Sequence, residues 1–280
     1  MTNDNVDQFE FWEDMAPDWL AFEDHTEIVA APFGDSAMDR LLLRPGLNVL
    51  DVGCGAGSTT VELARRVGND GRATGVDIAP AMIAHAMKRV DASHIGNVSF
   101  LVADAQVEPF QEAAFDAIYS RFGVMFFANP EVAFTNLRRA LRPDGVLAFA
   151  CWENIFLNEW MFVPGSALVT VTGSPPPMPG AGEPGPFSLA DRTDIELLLR
   201  DAGFKSVEVT PQAETVTLRG DEIESLVALT QRVGPVREAL RTANAETAKL
   251  IVAAVRSALL DRAVDEVVHL NSAAFVVSAR

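Results

Sequence analysis

The residues best suited to chemistry lie in a glycine-rich turn near residue 54. Gly53, Gly55 and Gly57 alternate directly after a short apolar run at 47–52, and a helical pattern begins near Ser58. Alternating glycines let the backbone approach a ligand closely, and the amide groups at the start of a helix point towards it. A turn of this kind predicts a site for a nucleotide-type cofactor, and dehydrogenases and flavoproteins use one as well.

Three carboxylates fall near the same place in the predicted topology. Asp51 lies in the run before the turn, and Asp77 and Asp104 lie at the ends of the next two apolar runs. Because the carboxyl ends of neighbouring parallel strands lie at one edge of a sheet, we expect these side chains to meet there. Singly, each would be interpreted as a surface carboxylate that caps a helix. Together they favour a site for a nucleoside with hydroxyl groups and a ring amine.

The segment from Asp51 to Gly57 resembles motif I of the class I S-adenosylmethionine methyltransferases. Further matches to that family follow in the family's order, at residues 75–78, 102–105, 115–120 and 141–147. Ser58 stands where the dinucleotide fingerprint of dehydrogenases has Gly or Ala. A finer resemblance, carried by residues 120–127 and by paired tryptophans ahead of the core, is to the ubiquinone/menaquinone biosynthesis-type (methyltransferase type 11-like) small-molecule methyltransferases.

This resemblance implies S-adenosylmethionine as the cofactor. In the family, the acidic residue that ends the second strand, here Asp77, binds the ribose hydroxyls. The one that follows the third strand, here Asp104, accepts a hydrogen bond from the adenine amino group. The cofactor-binding residues that we predict are Asp51, Gly53, Cys54, Gly55, Asp77, Ile78, Met82, Asp104, Ala105 and Ser120. We expect Asp51 to anchor the loop or the ligand's amino group, and Cys54 to be a small filler instead of a nucleophile.

The implied fold is α/β, with a Rossmann-like, doubly wound, mostly parallel sheet of seven strands, N-terminal helices and a helical cap inserted before the last strand. We divide the chain into an N-terminal helical cover at 1–45, a cofactor-binding core at 46–152, a lid loop at 153–190, and the C-terminal half of the sheet at 191–280. The cap is expected at about 220–265. The lid prediction depends on the abundance of Pro and Gly between 164 and 186.

Methyl transfer requires alignment of the acceptor with the methyl group and exclusion of water, and it requires no nucleophilic triad. His25, among acidic residues on a predicted helix, is the candidate general base; a solvated helix surface is the alternative. The predicted substrate pocket is rich in aromatic side chains, which suits a flat or lipophilic molecule. It comprises Trp12, Trp19, Arg121, Phe122, Trp152 and Trp160.

The composition excludes several other classes of function. The formal net charge is −17 at pH 7, and three lysines without a basic run are a poor basis for binding nucleic acid. The apolar stretches are shorter than a membrane span of about 18 to 20 residues, and the acidic N-terminus has no secretory signal pattern. Two cysteines and four scattered histidines predict no metal site. We therefore expect a cytoplasmic, metal-free protein, and a homodimer stays open.

We accordingly predict an S-adenosylmethionine-dependent methyltransferase that acts on an oxygen, nitrogen or carbon atom of a small aromatic or lipophilic metabolite. Motif I is shared by all three chemistries, so the atom is undecided. One alternative is an NAD(P)- or flavin-dependent oxidoreductase on a related fold. A second alternative is a non-catalytic S-adenosylmethionine-binding protein, because methyl transfer requires no obligatory catalytic residue.

Overall fold

The computed structural model describes residues 5–93, 95–176 and 183–280, which form an α/β fold with one β-sheet covered by helices. The strands are β1 (Asn48–Val52), β2 (Arg72–Asp77), β3 (Val98–Val102), β4 (Phe115–Arg121), β5 (Leu141–Trp152), β6 (Val207–Arg219), β7 (Ala263–Val264) and β8 (Val267–Ala279). The helices are α1 (Val6–Ala21), α2 (Glu23–Arg40), α3 (Ser58–Val67), α4 (Pro80–Ser93), α5 (Pro130–Ala140), α6 (Glu159–Thr172), α7 (Arg192–Asp201), α8 (Asp221–Thr230), α9 (Pro235–Thr242) and α10 (Ala245–Leu260).

The strand order confirms the doubly wound, mostly parallel sheet. Along the sheet the order is β3-β2-β1-β4-β5-β8-β6, with β7 as a short extra strand paired to β8. The first five strands pair in parallel, whereas β8 runs antiparallel between β5 and β6. The order reverses direction between β1 and β4, so a crevice forms outside their carboxyl ends. Helices α8, α9 and α10 lie between β6 and β8 in the chain, as the predicted cap does.

Local sequence signals explain where several helices begin. Asn129 precedes α5 and accepts a hydrogen bond from the Val132 amide, with Pro130 at the first helical position. Asp191 caps α7 through the amides of Thr193 and Asp194. These caps satisfy amide groups that have no partner inside the helix. They place the helices immediately after the loops that lead from the sheet.

The N-terminal helices α1 and α2 cover the sheet. Helix α2 packs across β4, β5 and β8, and α1 packs on α4. The fully buried Tyr119 hydroxyl of β4 donates to the Gly34 carbonyl of α2 at 3.0 Å. A Cβ on Gly34 would lie 2.4 Å from Arg121 Cδ, so the glycine allows the close approach of helix and sheet.

The predicted lid loop at 153–190 is wrong for part of its length. Residues Glu159–Thr172 form α6, which buries Val163, Ala167 and Leu168. Pro164 lies inside the helix, where it removes one backbone hydrogen bond. The loop was predicted because Pro164 begins the stretch rich in Pro and Gly. Burial of the apolar face outweighs that loss, and the helix ends at Gly173 in the left-handed conformation. The Pro- and Gly-rich stretch at 177–182 lies outside the described residues.

The boundaries of two strands depend on their partners. Strand β5 begins at Leu141, and its pairing with β4 shifts in register between Phe115 and Ala117. Strand β6 extends from Val207 to Arg219 because β8 pairs with it along its whole length. Long-range pairing decides both boundaries. Within the described residues, no helix combines the length and apolar character needed to cross a membrane.

Candidate active site

A cavity of about 810 Å³ opens at the carboxyl ends of β1, β2 and β4. Residues of α1, α2, α6, α8 and α9 also line it, so the cavity extends from the sheet to the N-terminal helices and the cap. Its size is within the range of about 300 to 1,000 Å³ that small-molecule sites occupy. Among the described residues, no cluster of His, Cys, Asp and Glu side chains could hold a metal ion.

The glycine-rich turn forms one wall of this cavity. Gly53, Gly55 and Gly57 all have positive φ angles, of 66°, 53° and 80°. A Cβ on Gly53 would lie 2.9 Å from the Gly123 Cα, so two backbone segments touch at this point. Gly53, Cys54 and Gly55 line the cavity. The turn therefore presents its backbone to a ligand, as alternating glycines predict.

Asp51 lies beneath the turn and does not belong to the cavity lining. Its side chain is 1% exposed, and its Oδ2 atom accepts hydrogen bonds from Thr59 Oγ1 at 2.7 Å and Thr60 Oγ1 at 2.6 Å. Within the described part of the chain, Oδ1 is buried and has no hydrogen-bond partner. Burial raises the pKa of Asp51 to about 6, although the two threonine hydrogen bonds oppose the shift. Of the two roles expected for Asp51, the structure supports anchoring of the turn.

Asp77 lines the cavity at the end of β2. Its Oδ2 accepts from the Gly55 amide at 2.8 Å and its Oδ1 from the Ala79 amide at 3.0 Å. Burial raises the pKa of Asp77, and the backbone hydrogen bonds partly oppose that shift. A carboxylate has about four lone-pair positions, so two positions remain for ligand hydroxyl groups. Asp77 therefore fixes the shape of the turn and can still bind a ribose diol.

Asp104 follows β3 and also lines the cavity. Its Oδ1 accepts from the Gln106 amide at 2.9 Å, whereas its buried Oδ2 has no partner among the described residues. An unpaired buried acceptor is costly, and a ligand amino group would satisfy it. Ile78, Met82 and Ala105, which are also predicted from the sequence to bind the cofactor, line the cavity as well.

Ser120 differs from the other predicted cofactor residues because it does not belong to the cavity lining. Its fully buried hydroxyl donates to the Val52 carbonyl at 2.7 Å and accepts from the Gly123 amide at 3.3 Å. These bonds connect the end of β4 to the end of β1. In the structure, Ser120 therefore supports the turn through its hydroxyl.

Two arginines bind the N-terminal cover to the core. Arg121 forms a two-pronged ion pair with Glu27 of α2, with both N–O distances at 2.7 Å. Burial alone would lower the pKa of Arg121, but hydrogen bonds to Glu27 raise it overall. Arg89 of α4 donates from a single nitrogen, Nη2, to both carboxylate oxygens of Glu23 at 2.6 and 2.5 Å, and its Nε donates to the Ala56 carbonyl at 2.9 Å. The cover is therefore held over the glycine-rich turn.

His25 lies between these two ion pairs and lines the cavity. Its Nδ1 is buried and has no hydrogen-bond partner within the described residues. His25, Val29 and Phe33 follow one another at four-residue spacing, so they share a stripe of α2. Phe33 contacts the rings of Phe122 and Trp152 at 6.2 and 5.5 Å. His25 therefore lies on the side of α2 that faces the aromatic part of the cavity.

The aromatic residues predicted for the substrate pocket all line the cavity: Trp12, Trp19, Phe122, Trp152 and Trp160. Trp12 contacts Trp19 at 5.7 Å and Phe126 at 4.8 Å, both edge to face. Trp12 and Trp19 pack against Ala79 and Met82, which places them on the cofactor side. Arg121 also lines the cavity, but its guanidinium is engaged by Glu27.

Sequence reasoning missed several lining residues. Asn5 and Gln8 of the N-terminal segment line the cavity, and each has a buried oxygen without a partner in the described structure. Met161 and Gly165 of α6 line it because that segment is a helix and not a loop. Glu27 was missed as the partner of Arg121, because the two residues lie 94 positions apart in the chain.

Comparisons with known proteins agree with this geometry. A family model described as a methyltransferase domain matches residues 49–145. O-methyltransferase rstn1 of Aspergillus nomiae is 30% identical over 199 residues, which cover 69% of this chain and 80% of that protein. Ubiquinone/menaquinone biosynthesis C-methyltransferase UbiE of Teredinibacter turnerae is 36% identical over 121 residues, or 42% of this chain and 49% of that protein.

Solved structures share the fold at low sequence identity. Phosphoethanolamine N-methyltransferase 2 of Haemonchus contortus, in complex with S-adenosyl-L-methionine, superimposes with a TM-score of 0.54 at 19% identity. The match covers 88% of this chain and 52% of that one. It supports the architecture of the sheet and its helices.

Proposed function

The chain belongs to the class I S-adenosylmethionine-dependent methyltransferases, and from that premise we propose that it methylates a small aromatic or lipophilic metabolite. The observation that carries the proposal is the continuity of the site. The same cavity is lined by Gly53 and Asp77, which we call its cofactor end, and by Phe122, Trp152 and Trp160, which we call its acceptor end. A cofactor at the first end and an apolar acceptor at the second would share one enclosed space.

The cofactor end fits S-adenosylmethionine in its donor and acceptor groups. We propose that Asp77 accepts from the ribose hydroxyls and that the unpaired Oδ2 of Asp104 accepts from the adenine amine. The backbone of the Gly53–Gly55 turn would face the methionine part. S-adenosylmethionine bound there would supply an electrophilic methyl group on a positively charged sulfur and would leave S-adenosylhomocysteine as its product.

The chain's own contribution to the reaction is alignment, exclusion of water and a base. Helices α1 and α2 lie over the cavity and are bound to the core by Glu23 with Arg89 and by Glu27 with Arg121. If the acceptor atom is a hydroxyl oxygen, the free Nδ1 of His25 is positioned to take its proton. Glu23 and Glu27, the carboxylates of α2 that line the cavity, are engaged by arginines, which favours His25 of the same helix for this role.

Oxygen, carbon and nitrogen acceptors remain candidates, and the relatives support the first two. The relative whose alignment covers 80% of its own length is an O-methyltransferase, whereas UbiE is a C-methyltransferase. The alternative of an NAD(P)- or flavin-dependent oxidoreductase receives no support from the comparisons. The net charge of −17 suits a dissolved cytoplasmic enzyme and disfavours nucleic acid as a partner.

Methyl-labelled S-adenosylmethionine tests the proposal. We would incubate the protein with the labelled cofactor and with apolar and polar fractions of a metabolite extract, and follow the label into small molecules. Label in the apolar fraction, dependent on Asp77, is the expected result. Label that appears in nucleic acid or in strongly polar metabolites would contradict the proposed substrate class. Calorimetric titration with S-adenosylmethionine and with NAD checks the cofactor end separately.

A further inference from the structure

The conformation of Phe122 points to a function at the acceptor end of the cavity. Its φ angle is +59°, in the left-handed region that a bulky aromatic residue avoids. Residues in such conformations persist where the surrounding structure imposes them, and they cluster at ligand sites. The Phe122 amide donates to the Ala150 carbonyl at 3.0 Å, and the next amide, of Gly123, donates to Ser120 Oγ. These two hydrogen bonds fix the backbone at Phe122 and thereby the position of its ring.

That ring is the more exposed member of an aromatic stack whose two members both line the cavity. Phe122 lies parallel to Trp152, with ring centroids 3.7 Å apart and an angle of 11° between the planes. Trp152 is 6% exposed and is held edge-on by Phe33 at 5.5 Å and by Trp160 at 5.2 Å. Phe122 is half-buried and lines the cavity. A flat, rigid surface therefore faces the acceptor space, and aromatic rings prefer offset stacking on such a surface.

The charges around this surface are already compensated. Arg121 and Arg237 are the arginines that line the described part of the cavity, and no lysine lines it there. Arg121 is paired with Glu27, and Arg237 donates to Asp14 at 2.7 Å. A negatively charged acceptor would have to displace a carboxylate to gain a cationic partner. The pairing therefore favours an uncharged acceptor.

The indole N–H of Trp160 adjoins the stack, since its ring lies 5.2 Å from that of Trp152. Trp160 lines the cavity. Its Nε1 atom is buried and has no hydrogen-bond partner among the described residues. The indole N–H can only donate, so its natural partner is an oxygen acceptor on the ligand. A buried donor without a partner is costly, which favours a ligand that supplies one.

We infer that the acceptor is a flat, uncharged aromatic ring system that lies on the Phe122–Trp152 stack and accepts a hydrogen bond from Trp160 through an oxygen at its edge. This inference rests on the proposed function, because it names the class of molecule that the same cavity methylates. Ser120 becomes a positioning residue in this arrangement. Its hydroxyl links the backbone after Phe122 to the end of β1, so the acceptor surface is set relative to the cofactor turn.

Four probes with one carbon skeleton test the inference by equilibrium dialysis against the full chain saturated with S-adenosylhomocysteine. They are 2-naphthol (flat, uncharged, with an oxygen), naphthalene (flat, without oxygen), 2-naphthoate (flat, anionic) and decahydro-2-naphthol (uncharged, puckered). We expect 2-naphthol to bind at least tenfold more tightly than each of the other three. Equal or tighter binding of 2-naphthoate or decahydro-2-naphthol would overturn the inference, as would failure of 2-naphthol to bind up to its solubility limit.

Two variants separate the stack from the donor. Phe122→Leu should weaken 2-naphthol binding at least fivefold and change decahydro-2-naphthol binding less than twofold. Trp160→Phe should remove the preference for 2-naphthol over naphthalene. An equal loss for all probes, or an unchanged preference in Trp160→Phe, would contradict the assignment of these residues. Circular dichroism melting curves identify a variant that fails to fold, and the wild-type series decides the question in that case.

The methyl-transfer assay distinguishes a failure of this inference from a failure of the proposed function. If label from S-adenosylmethionine enters decahydro-2-naphthol or 2-naphthoate and not 2-naphthol, the enzyme is a methyltransferase of small apolar molecules and the inference is wrong. If 2-naphthol binds as expected but no label enters any small molecule of the extract, the proposed activity fails while the binding surface stands.

Discussion

Replacement of the buried carboxylate Asp51 by asparagine should change how stability depends on pH. Burial raises the pKa of Asp51 from an ordinary value of 3.8 to about 6. A carboxyl whose pKa is higher in the folded state binds its proton more tightly there than in the unfolded chain. Its contribution therefore lowers the free energy of unfolding as pH rises, and this loss is complete above the folded pKa. Asp51→Asn removes that dependence.

The magnitude follows from the shift in pKa. A shift of about 2 units corresponds to about 3 kcal/mol between the fully protonated and fully ionised states. Between pH 5 and pH 8, the ionisation of Asp51 should lower the free energy of unfolding by about 1.4 kcal/mol, because part of the loss has already occurred at pH 5. In the variant, the asparagine oxygen can still accept from Thr59 and Thr60, while its amide nitrogen takes the place of the unpaired Oδ1.

Chemical denaturation of the wild type and Asp51→Asn at pH 5, 6, 7 and 8 measures this difference. From pH 5 to pH 8, the free energy of unfolding of the variant should rise by about 1.4 kcal/mol relative to that of the wild type, whatever the absolute stability of the variant. Asp144→Asn, at an exposed position on β5, serves as the control for the loss of one negative charge from a chain of net charge −17. Parallel curves for wild type and Asp51→Asn, after subtraction of the control, would refute the reasoning.

Three further predictions concern the site. Asp77→Ala should weaken S-adenosylmethionine binding by about 2 to 3 kcal/mol, roughly 30- to 150-fold in Kd, through lost charge-assisted hydrogen bonds. Unchanged affinity, measured by calorimetry in a folded variant, would exclude Asp77 as the ribose ligand. Gly57→Ala should cost about 1 to 3 kcal/mol in thermal denaturation because φ is +80° and its Cβ would lie 2.8 Å from neighbouring side-chain carbons. Gly46→Ala, with φ +89° and open space around it, should cost less, and an equal cost would show that crowding is irrelevant. His25→Gln should lower kcat for a hydroxyl acceptor about 100-fold or more without changing cofactor affinity. The control His85→Gln, at a residue outside the cavity lining, should change neither quantity. A pH-rate profile of His25→Gln that is the same as that of the wild type would exclude His25 as the base.

The cofactor half of the site could be predicted from sequence because its determinants are local. Asp77, Asp104 and Gly53 lie at or just after the end of a short strand, and parallel strands bring their carboxyl ends together. Asp77 and Asp104 therefore had to lie near Gly53 once the order of the strands was recognised. The backbone contacts of Asp77 with the turn follow from this arrangement.

The acceptor half depended on packing between distant segments. Trp160 lines the cavity because α6 forms despite Pro164, and that helix is stabilised by an apolar face that buries against elements far along the chain. The pairing of Arg121 with Glu27 joins residues 94 positions apart. No local pattern in the sequence indicates which carboxylate would neutralise this arginine.

The sequence by itself therefore determined the alternation of strands and helices, the glycine-rich turn and the carboxylates at strand ends, since these depend on short-range propensities and on the geometry of parallel pairing. The tertiary structure alone decided that Asp51 and Ser120 lie beneath the turn, that Phe122 has a left-handed backbone, and that its ring stacks on Trp152. The physical reason is that burial, backbone conformation at the end of a strand and compensation of charge are properties of the whole packed molecule. These properties are set only when segments far apart in the chain pack against one another.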